Sequence, residues 1–354
     1  MFKADDHKDA LEDIADTASK EFSNEKILNQ MFADWEPLEF TPSVQKDTYK
    51  LGGDSIELIQ QTLDDHLVKT QTMKGSPFAK YFLDTIVKWE DQLMKTLDNV
   101  DMWLKVQAVW MYLEPVFSSE DIMKQMPVEG NKFREVDKDW RMLMKQVAED
   151  PSALNVIKIP GLHDIVFNAY AKLEEVQKGL NAYLESKRGL FPRFFFLSDP
   201  ELLEILSETK DPLKIQPYLK KCFEAIEELE FDDECKIHAM KSSEGERIQY
   251  VKIIDPVLAK GNVEEWLKPV EEVMIKSVKD VIDKSNLDYT KPGQEREKWV
   301  TIWPGQAVLA VSMMKWTSQA EEAMKKSGLA GLEVFFEKQN KQVSTNISRF
   351  WMKA

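Results

Sequence analysis

Few residues of this chain have the types and spacing that catalysis or metal binding requires. Its four histidines lie far apart and lack the His-x-x-x-His spacing of a helical zinc site. They are His7, His66, His163 and His238. No phosphate-binding Gly-x-x-x-x-Gly-Lys loop, dinucleotide glycine fingerprint or Gly-x-Ser-x-Gly elbow is present. The residue types therefore predict no catalytic, cofactor or metal site.

Asp64, Asp65 and His66 are the closest approach to a set of metal ligands. Consecutive residues on a helix point in different directions, so these three side chains cannot close on one ion. We interpret them as part of a solvated helix face, with His66 near the helix end.

A second acidic cluster occupies residues 227–234, where six of eight side chains are carboxylates. A calcium loop would need alternating ligands and a central glycine, and both are absent here. We therefore interpret the run as a solvated, charged turn.

Two cysteines, Cys222 and Cys235, are too few for a disulfide framework or a cysteine-rich zinc site. This count favours a reducing, intracellular compartment. The first residues, from Met1 to Asp6, contain no apolar segment, so we expect no signal peptide. No stretch approaches the roughly 20 apolar residues of a membrane span.

The composition excludes several classes of function. The chain has 354 residues, of which 31% are charged and 43% hydrophobic, and its net charge is -15. An acidic surface opposes binding to nucleic acid or to an anionic membrane. The hydrophobic fraction is sufficient for folded cores, and the 13 glycines and 15 prolines are few for a many-stranded β protein.

Helical periodicity dominates the elements that any site would depend on. One or two helices precede Pro37, and another begins near Ser55. The longest predicted helix runs from Pro77 to Pro115, where proline is expected to end it. Further helices are predicted over the following residues: 129–147, 162–187, 214–229, 263–278, 304–326 and 329–351.

Three segments favour strands or extended chain. Leu38 and Phe40 alternate with polar residues and predict a strand that pairs with Tyr49 and Leu51. A clearer hairpin is predicted at 234–254, with a turn at 242–246.

Residues 191–197 surround Pro192 with aromatic side chains and predict a buried extended segment. Some of these aromatics exceed what one strand needs to bury. We therefore treat Phe191, Phe194, Phe195 and Phe196 as candidates for a seam between two packed bundles, with a plain core strand as the alternative.

These elements predict a mainly α fold: an elongated arch of consecutive antiparallel helical bundles with one or two small inserted β-hairpins. No internal repeat of fixed period is present. Taken alone, the residues indicate an intracellular helical protein rather than an enzyme.

Many stretches, in the right order, resemble the linker segment of dynein heavy chains, also called N-terminal region 2. They occupy residues 63–78, 103–107, 110–122, 125–127, 191–198, 202–212, 220–224, 245–247 and 303–306. The sequence from Phe117 to Ile122, with the earlier Asp-Asp-His and Ser-Pro-Phe stretch, is most similar to the axonemal, single-headed inner-arm type of cilia and flagella.

The resemblance implies a mechanical arm without catalysis. In this family the linker lies across a ring of six AAA+ modules. It swings as ATP is hydrolysed in the ring, which produces minus-end-directed force on microtubules for ciliary or flagellar beating. No cofactor is implied in this segment, because ATP and Mg would be bound by the ring.

The implied partners are the AAA+ ring of the same heavy chain, axonemal dynein subunits through the parent tail, and the microtubule only through the parent stalk. Nucleic acid and membrane are not expected partners, and the implied location is the axoneme, within the cytoplasm and cytoskeleton. A passive helical scaffold or rod without a motor role is the alternative. A rod of the spectrin type would normally repeat, and a cryptic enzyme has less support still.

The resemblance also implies an organisation along the chain. We expect an N-terminal helix and hairpin at 1–55, a helical bundle at 56–190, and helices plus a hairpin at 191–255. A C-terminal bundle at 256–354 would lead toward an absent first AAA+ module, so we expect the chain to be part of a much longer polypeptide.

Two mechanical sites follow from this reading. The hinge candidates are Asp255, Pro256, Lys260 and Gly261, because a proline and a glycine interrupt regular structure in the segment after the hairpin. The ring-docking candidates are the polar turn and two earlier aromatics: Trp35, Phe40, Glu244, Gly245, Glu246 and Arg247.

Overall fold

The computed structural model describes residues 7–207 and 211–351, with side chains described as far as Ser344. The expectation that no signal peptide is present rests on residues that lie outside this range. Within it, 12 helices and two small antiparallel sheets make up the regular structure. The predicted mainly α fold with small β insertions is therefore confirmed. The arch-like arrangement and the four-part division stay predictions.

The chain divides into two compact units, Met1–Tyr183 and Leu184–Ala354. The first unit contains the following elements: α1 (Lys8–Trp35), β1 (Pro42–Gln45), β2 (Thr48–Leu51), α2 (Gly53–Lys74), α3 (Leu83–Phe117), α4 (Glu120–Gln125), α5 (Pro127–Glu149), α6 (Ala153–Val156) and most of α7 (Leu162–Leu190).

The long helix α3 forms the centre of the first unit. Its buried residues recur at steps of three and four, beginning with Ile86, Trp89 and Leu93. The predicted start was too early, because Pro77–Phe82 is a 3-10 helix. The predicted stop at Pro115 was also too early. Proline lacks the N–H for its own helical bond but keeps a helical φ, and α3 continues past Pro115 to Phe117.

The N-terminal hairpin lies later in the sequence than predicted. β1 and β2 pair antiparallel, with Val44 opposite Tyr49. Leu38 and Phe40, which were predicted as the first strand, instead approach the segment before α6. There the Phe40 N–H donates to the Pro151 carbonyl at 2.8 Å. The alternation of Leu38 and Phe40 therefore predicted their burial correctly, but it predicted their pairing in the hairpin wrongly.

The second unit begins with the end of α7. Its further elements are α8 (Asp199–Ser207), α9 (Gln216–Cys222), β3 (Glu228–Phe231), β4 (Ile237–Lys241), β5 (Arg247–Ile254), α10 (Val263–Tyr289), α11 (Arg296–Ile302) and α12 (Gly305–Trp351). The helix α12 is interrupted at Gly328, where φ is +59°. Glycine adopts this left-handed conformation without a steric penalty, so the chain can break there.

The predicted hairpin is part of a three-stranded antiparallel sheet with the order β3-β4-β5. β3 was not predicted, and the helix expected over 214–229 was wrong beyond Cys222, where α9 ends. Phe223 is extended at φ -136°. Leu229 then pairs opposite Met240 and buries its side chain. Pairing with a distant strand outweighed the local helical pattern.

The aromatic segment after α7 is a 3-10 helix, Pro192–Phe196, and not the extended segment that was predicted. Phe191 and Phe194 are fully buried and meet edge to face, with ring centroids 5.0 Å apart. Phe195 and Phe196 are 62% and 68% exposed. A short helix therefore sends two of the four rings into the core and two to the surface.

Candidate hinge and docking sites

The described residues contain no group of three or more histidine, cysteine, aspartate or glutamate side chains that could hold a metal ion. Two histidines instead make single polar contacts. Nδ1 of His163 lies 2.8 Å from Oδ1 of Asn99, and Nε2 of His238 lies 2.6 Å from Oδ2 of Asp232. The first contact joins α7 to α3, and the second spans the turn between β3 and β4.

His66 is in the core of the first unit, so the interpretation of a solvated residue near the helix end was wrong. It lies well inside α2 and is 1% exposed. Its Nδ1 accepts a hydrogen bond of 3.1 Å from Nε1 of Trp35. Burial lowers the pKa of His66, although the hydrogen bond to Asp34 opposes this effect. A neutral ring is required, because a protonated Nδ1 could not accept from the indole.

The acidic run at 227–234 is also more structured than predicted. Part of it is the strand β3, and Glu230 on that strand pairs with Arg247 and Lys241 across the sheet. These hydrogen bonds, with that of Arg247 first, lower the pKa of Glu230 to about 2. Only the residues after Phe231 form a turn.

The four hinge candidates form an ordered turn between β5 and α10. Oδ1 of Asp255 accepts a hydrogen bond of 3.0 Å from the Val257 N–H. That bond opens the 3-10 helix Pro256–Ala259, in which Pro256 is buried. Lys260 and Gly261 then take left-handed backbone angles, with φ of 49° and 89°. Two successive left-handed residues mark a sharp change of chain direction.

A groove of about 400 Å³ lies between this turn and α10. Leu258, which is 77% exposed, stands on its turn side. Pro269 lines the opposite side, inside α10. Because proline has no N–H, the Glu265 carbonyl lacks its usual helical partner at this level. The groove therefore lies next to the point where the hydrogen-bond ladder of α10 is interrupted.

The neighbouring strand β5 pairs irregularly with β4 before it reaches this turn. Gln249 pairs with Ala239, but the next register point pairs Ile254 with Ile237. Within the intervening stretch, the Val251 N–H donates to Oγ of Ser277 in α10 at 3.0 Å. The irregularly paired middle of β5 is thus attached to α10, a link that the sequence alone did not suggest.

The proposed docking turn contacts the start of α12. Oε1 of Glu246 accepts a hydrogen bond of 2.6 Å from the Gly305 N–H, although the two residues are 59 positions apart. Gly245 has φ +84°, which suits glycine in a tight turn. Glu244 is exposed. Of the two carboxylates, Glu246 already serves the fold, whereas Glu244 points to no described partner.

Trp35 and Phe40 are poorly placed as docking residues, because each is only 1% exposed. Trp35 meets Trp89 edge to face at 6.2 Å, and Phe40 lies 5.8 Å from the ring of Trp103. Neither ring can reach another protein without opening the core of the first unit. Of the docking candidates, only the residues of the turn are therefore accessible, and the seam role of Phe195 and Phe196 stays a prediction.

No helix within residues 7–207 and 211–351 is long and apolar enough to cross a bilayer. Twelve helices and two small antiparallel sheets within the described residues define a mainly helical segment. A sequence model described as dynein heavy chain, N-terminal region 2, matches residues 1–285. The chain belongs to the dynein heavy chain family, and it contains that region.

Axonemal heavy chains are among its relatives. The chain is 50% identical to dynein axonemal heavy chain 12 of Homo sapiens over 334 residues, which cover 94% of this chain and 11% of that protein. It is 48% identical to human dynein axonemal heavy chain 3, covering 94% and 8%. For dynein axonemal heavy chain 1 of Mus musculus the identity is 41%, covering 96% and 8%. The chain thus spans about a tenth of the length of these relatives.

Proposed function

We propose that this chain is the mechanical linker of an axonemal dynein heavy chain, a lever that swings across the AAA+ ring of its parent polypeptide. The observation that carries the proposal is the family match over residues 1–285. ATP and Mg would bind in the ring, and the microtubule would bind through the stalk, both outside this chain. The location that goes with this role is the axoneme of a cilium or flagellum.

Deletion separates the lever from a passive scaffold. The whole heavy chain without this segment should lose ATP-driven microtubule gliding and keep ATP hydrolysis by the ring. Gliding at an unchanged speed would favour the scaffold. The segment by itself should show no ATPase activity, and measurable turnover would contradict a non-catalytic role.

The hinge of the lever is proposed at the turn formed by Asp255, Pro256, Lys260 and Gly261. Support comes from the left-handed angles at the last two residues, and from the groove between the turn and Pro269. An interrupted helix offers less resistance to bending than a continuous one.

A reducible crosslink across this groove tests the hinge. Leu258→Cys and Glu272→Cys place thiols on opposite sides of it, because both residues line the groove. Cys235 is half-buried and is first replaced by asparagine, which tolerates its left-handed backbone. Burial raises the pKa of Cys222 to about 11, so that thiol stays protonated and unreactive.

Crosslinking should stop gliding, spare basal ATP hydrolysis, and be reversed by reduction. The control pair is Lys268→Cys with Glu272→Cys, which links two turns of one helix and does not span the groove. Full gliding speed with the first pair crosslinked would refute the hinge. Equal arrest with both pairs would show that modification of α10, and not bending at the turn, stops the motor.

The turn at Glu244, Gly245, Glu246 and Arg247 is proposed to dock on the AAA+ ring. Such a contact must form and break in each cycle, which suits a small polar surface. Glu244→Lys is the informative change, because Glu246 already bonds to Gly305. Gliding speed should fall with Glu244→Lys and remain normal with Glu321→Lys on distal α12; no difference between them would count against docking here.

A further inference from the structure

A mostly apolar cavity of about 390 Å³ lies in the second unit, between the sheet, α10 and the start of α12. Phe223, Ile226 and Met240 are buried, and each is at most 8% exposed. The apolar lining continues through Ile248, Met274 and Val278. Ile275, which is 59% exposed, stands at the opening. An apolar cavity of only about 150 Å³ can hold a benzene ring, so this one has room for a large side chain.

The cationic side chains around the opening are already paired with carboxylates. Arg193 is held by Glu271 at 2.8 Å, and Lys241 is held by Glu230 at 3.0 Å. Both carboxylate partners lie outside the cavity lining. On the same rim Glu224 is exposed, and no described side chain pairs with it.

The second rim carboxylate, Glu246, binds a backbone N–H, and no cation of the described residues pairs with it. Among the side chains that the structure describes, none therefore neutralises its charge or that of Glu224. The rim as a whole presents uncompensated negative charge above an apolar floor.

We propose that this cavity binds a polypeptide segment that inserts a bulky apolar side chain and carries a lysine or arginine next to it. The apolar floor would bury the anchor, and Glu224 would pair with the cation. Buried apolar anchors with a charged rim are the usual energetic centre of such contacts. The inference is drawn from the lining of the cavity and does not require the lever role.

The net charge of the chain favours such a partner over a second copy. Two copies, each with a net charge of -15, repel each other, whereas a cationic segment is attracted. The dynein heavy chains to which this chain is similar are about ten times longer than it, so a partner segment can also belong to the same polypeptide.

The methyl groups of Met240 and Met274 report on binding directly, because both line the cavity. The chain is labelled at its methionine methyls and titrated with a capped Gly-Phe-Lys-Gly peptide. We expect saturable shifts at these two methyls and none at Met31 and Met144, which are buried in the first unit. Replacing phenylalanine by serine in the peptide should weaken binding about tenfold or more. Replacing lysine by glutamate should weaken it several-fold.

Three variants of the protein locate the site. Val278→Trp fills the cavity and should abolish the shifts. Glu224→Lys is a surface change that does not threaten folding, and it should weaken binding of the Phe-Lys peptide several-fold. Glu321→Lys makes the same charge change far along α12 and should have no effect.

Each other outcome overturns the proposal. Equal binding of the Phe-Lys and Phe-Glu peptides would show a general apolar pocket without charge selection. Binding that survives Val278→Trp, in a variant with a native circular dichroism spectrum, would place the site elsewhere. Shifts of Met240 and Met274 with protein concentration alone would make a second copy the occupant. A failed peptide test leaves the gliding experiments unaffected, so the two proposals are tested separately.

Discussion

Glu246 is expected to hold the β4–β5 turn against α12, and its replacement should loosen both. Its carboxylate accepts the Gly305 N–H at 2.6 Å, where the helix has no preceding turn to supply an acceptor. A capping bond of this kind contributes about 1 kcal/mol, and the favourable charge at the N-terminus adds about 0.3–1 kcal/mol. Because the Gly305 end is exposed to solvent, which screens the charge, we take only about 1 kcal/mol for the two contributions together.

Hydrogen exchange at the Gly305 amide measures this bond at its donor. A loss of about 1 kcal/mol corresponds to about fivefold faster exchange in Glu246→Ala. Glu246→Gln keeps an acceptor oxygen and removes the charge, so its exchange rate should fall between those of Glu246→Ala and the unchanged chain.

The melting temperature of the second unit should fall by about 2–4 °C in Glu246→Ala. Glu244→Ala, two positions away in the same turn and without a described partner, is the matched control. Unchanged Gly305 exchange in Glu246→Ala would refute the reasoning. Equal acceleration in Glu244→Ala would assign the effect to the turn as a whole.

Three further outcomes are expected. Burial lowers the pKa of His66 below 6.5, so as pH falls the unfolded chain takes up a proton before the folded chain does. The stability of the first unit should therefore fall as pH drops below about 6.5. Urea titrations at several pH values should show this dependence, and a dependence that persists in His66→Gln would contradict it. Lys187 and Glu264 form a buried ion pair, so Lys187→Met should destabilise by about 3–5 kcal/mol while the double change with Glu264→Leu should cost much less; additive losses in urea unfolding would exclude this coupling. Phe194→Ala should cost about 3–5 kcal/mol and Phe195→Ala much less, and similar losses in thermal unfolding would show that exposure does not separate the two rings.

Periodicity and punctuation predicted the helical character and the bounds of several elements closely. The helix expected over 162–187 is α7, Leu162–Leu190, and the β4–β5 hairpin lies where alternation placed it. Both depend on neighbours within a few residues, because local spacing decides which side chains share a face. The predictions failed where a distant segment supplied the pairing partner. The end of the helix expected over 214–229 belongs instead to β3, which pairs with β4.

The same distinction between local and distant contacts applies to the candidate sites. Proline and glycine correctly marked a sharp turn at 255–261, since backbone angles are a local property. Burial of Trp35 and His66 depends on two helices meeting, and the sequence offered no signal that one would donate a hydrogen bond to the other.

The sequence by itself determined the family, the helical class and the acidic character of this chain. Those properties are sums and patterns along the chain, and no contact is needed to read them. Only the tertiary structure decided that Glu246 bonds to Gly305, while Glu224 lies on the rim of an apolar cavity without a described partner. Availability of a charge depends on what faces it in space, and the facing residues lie tens of positions away in the sequence.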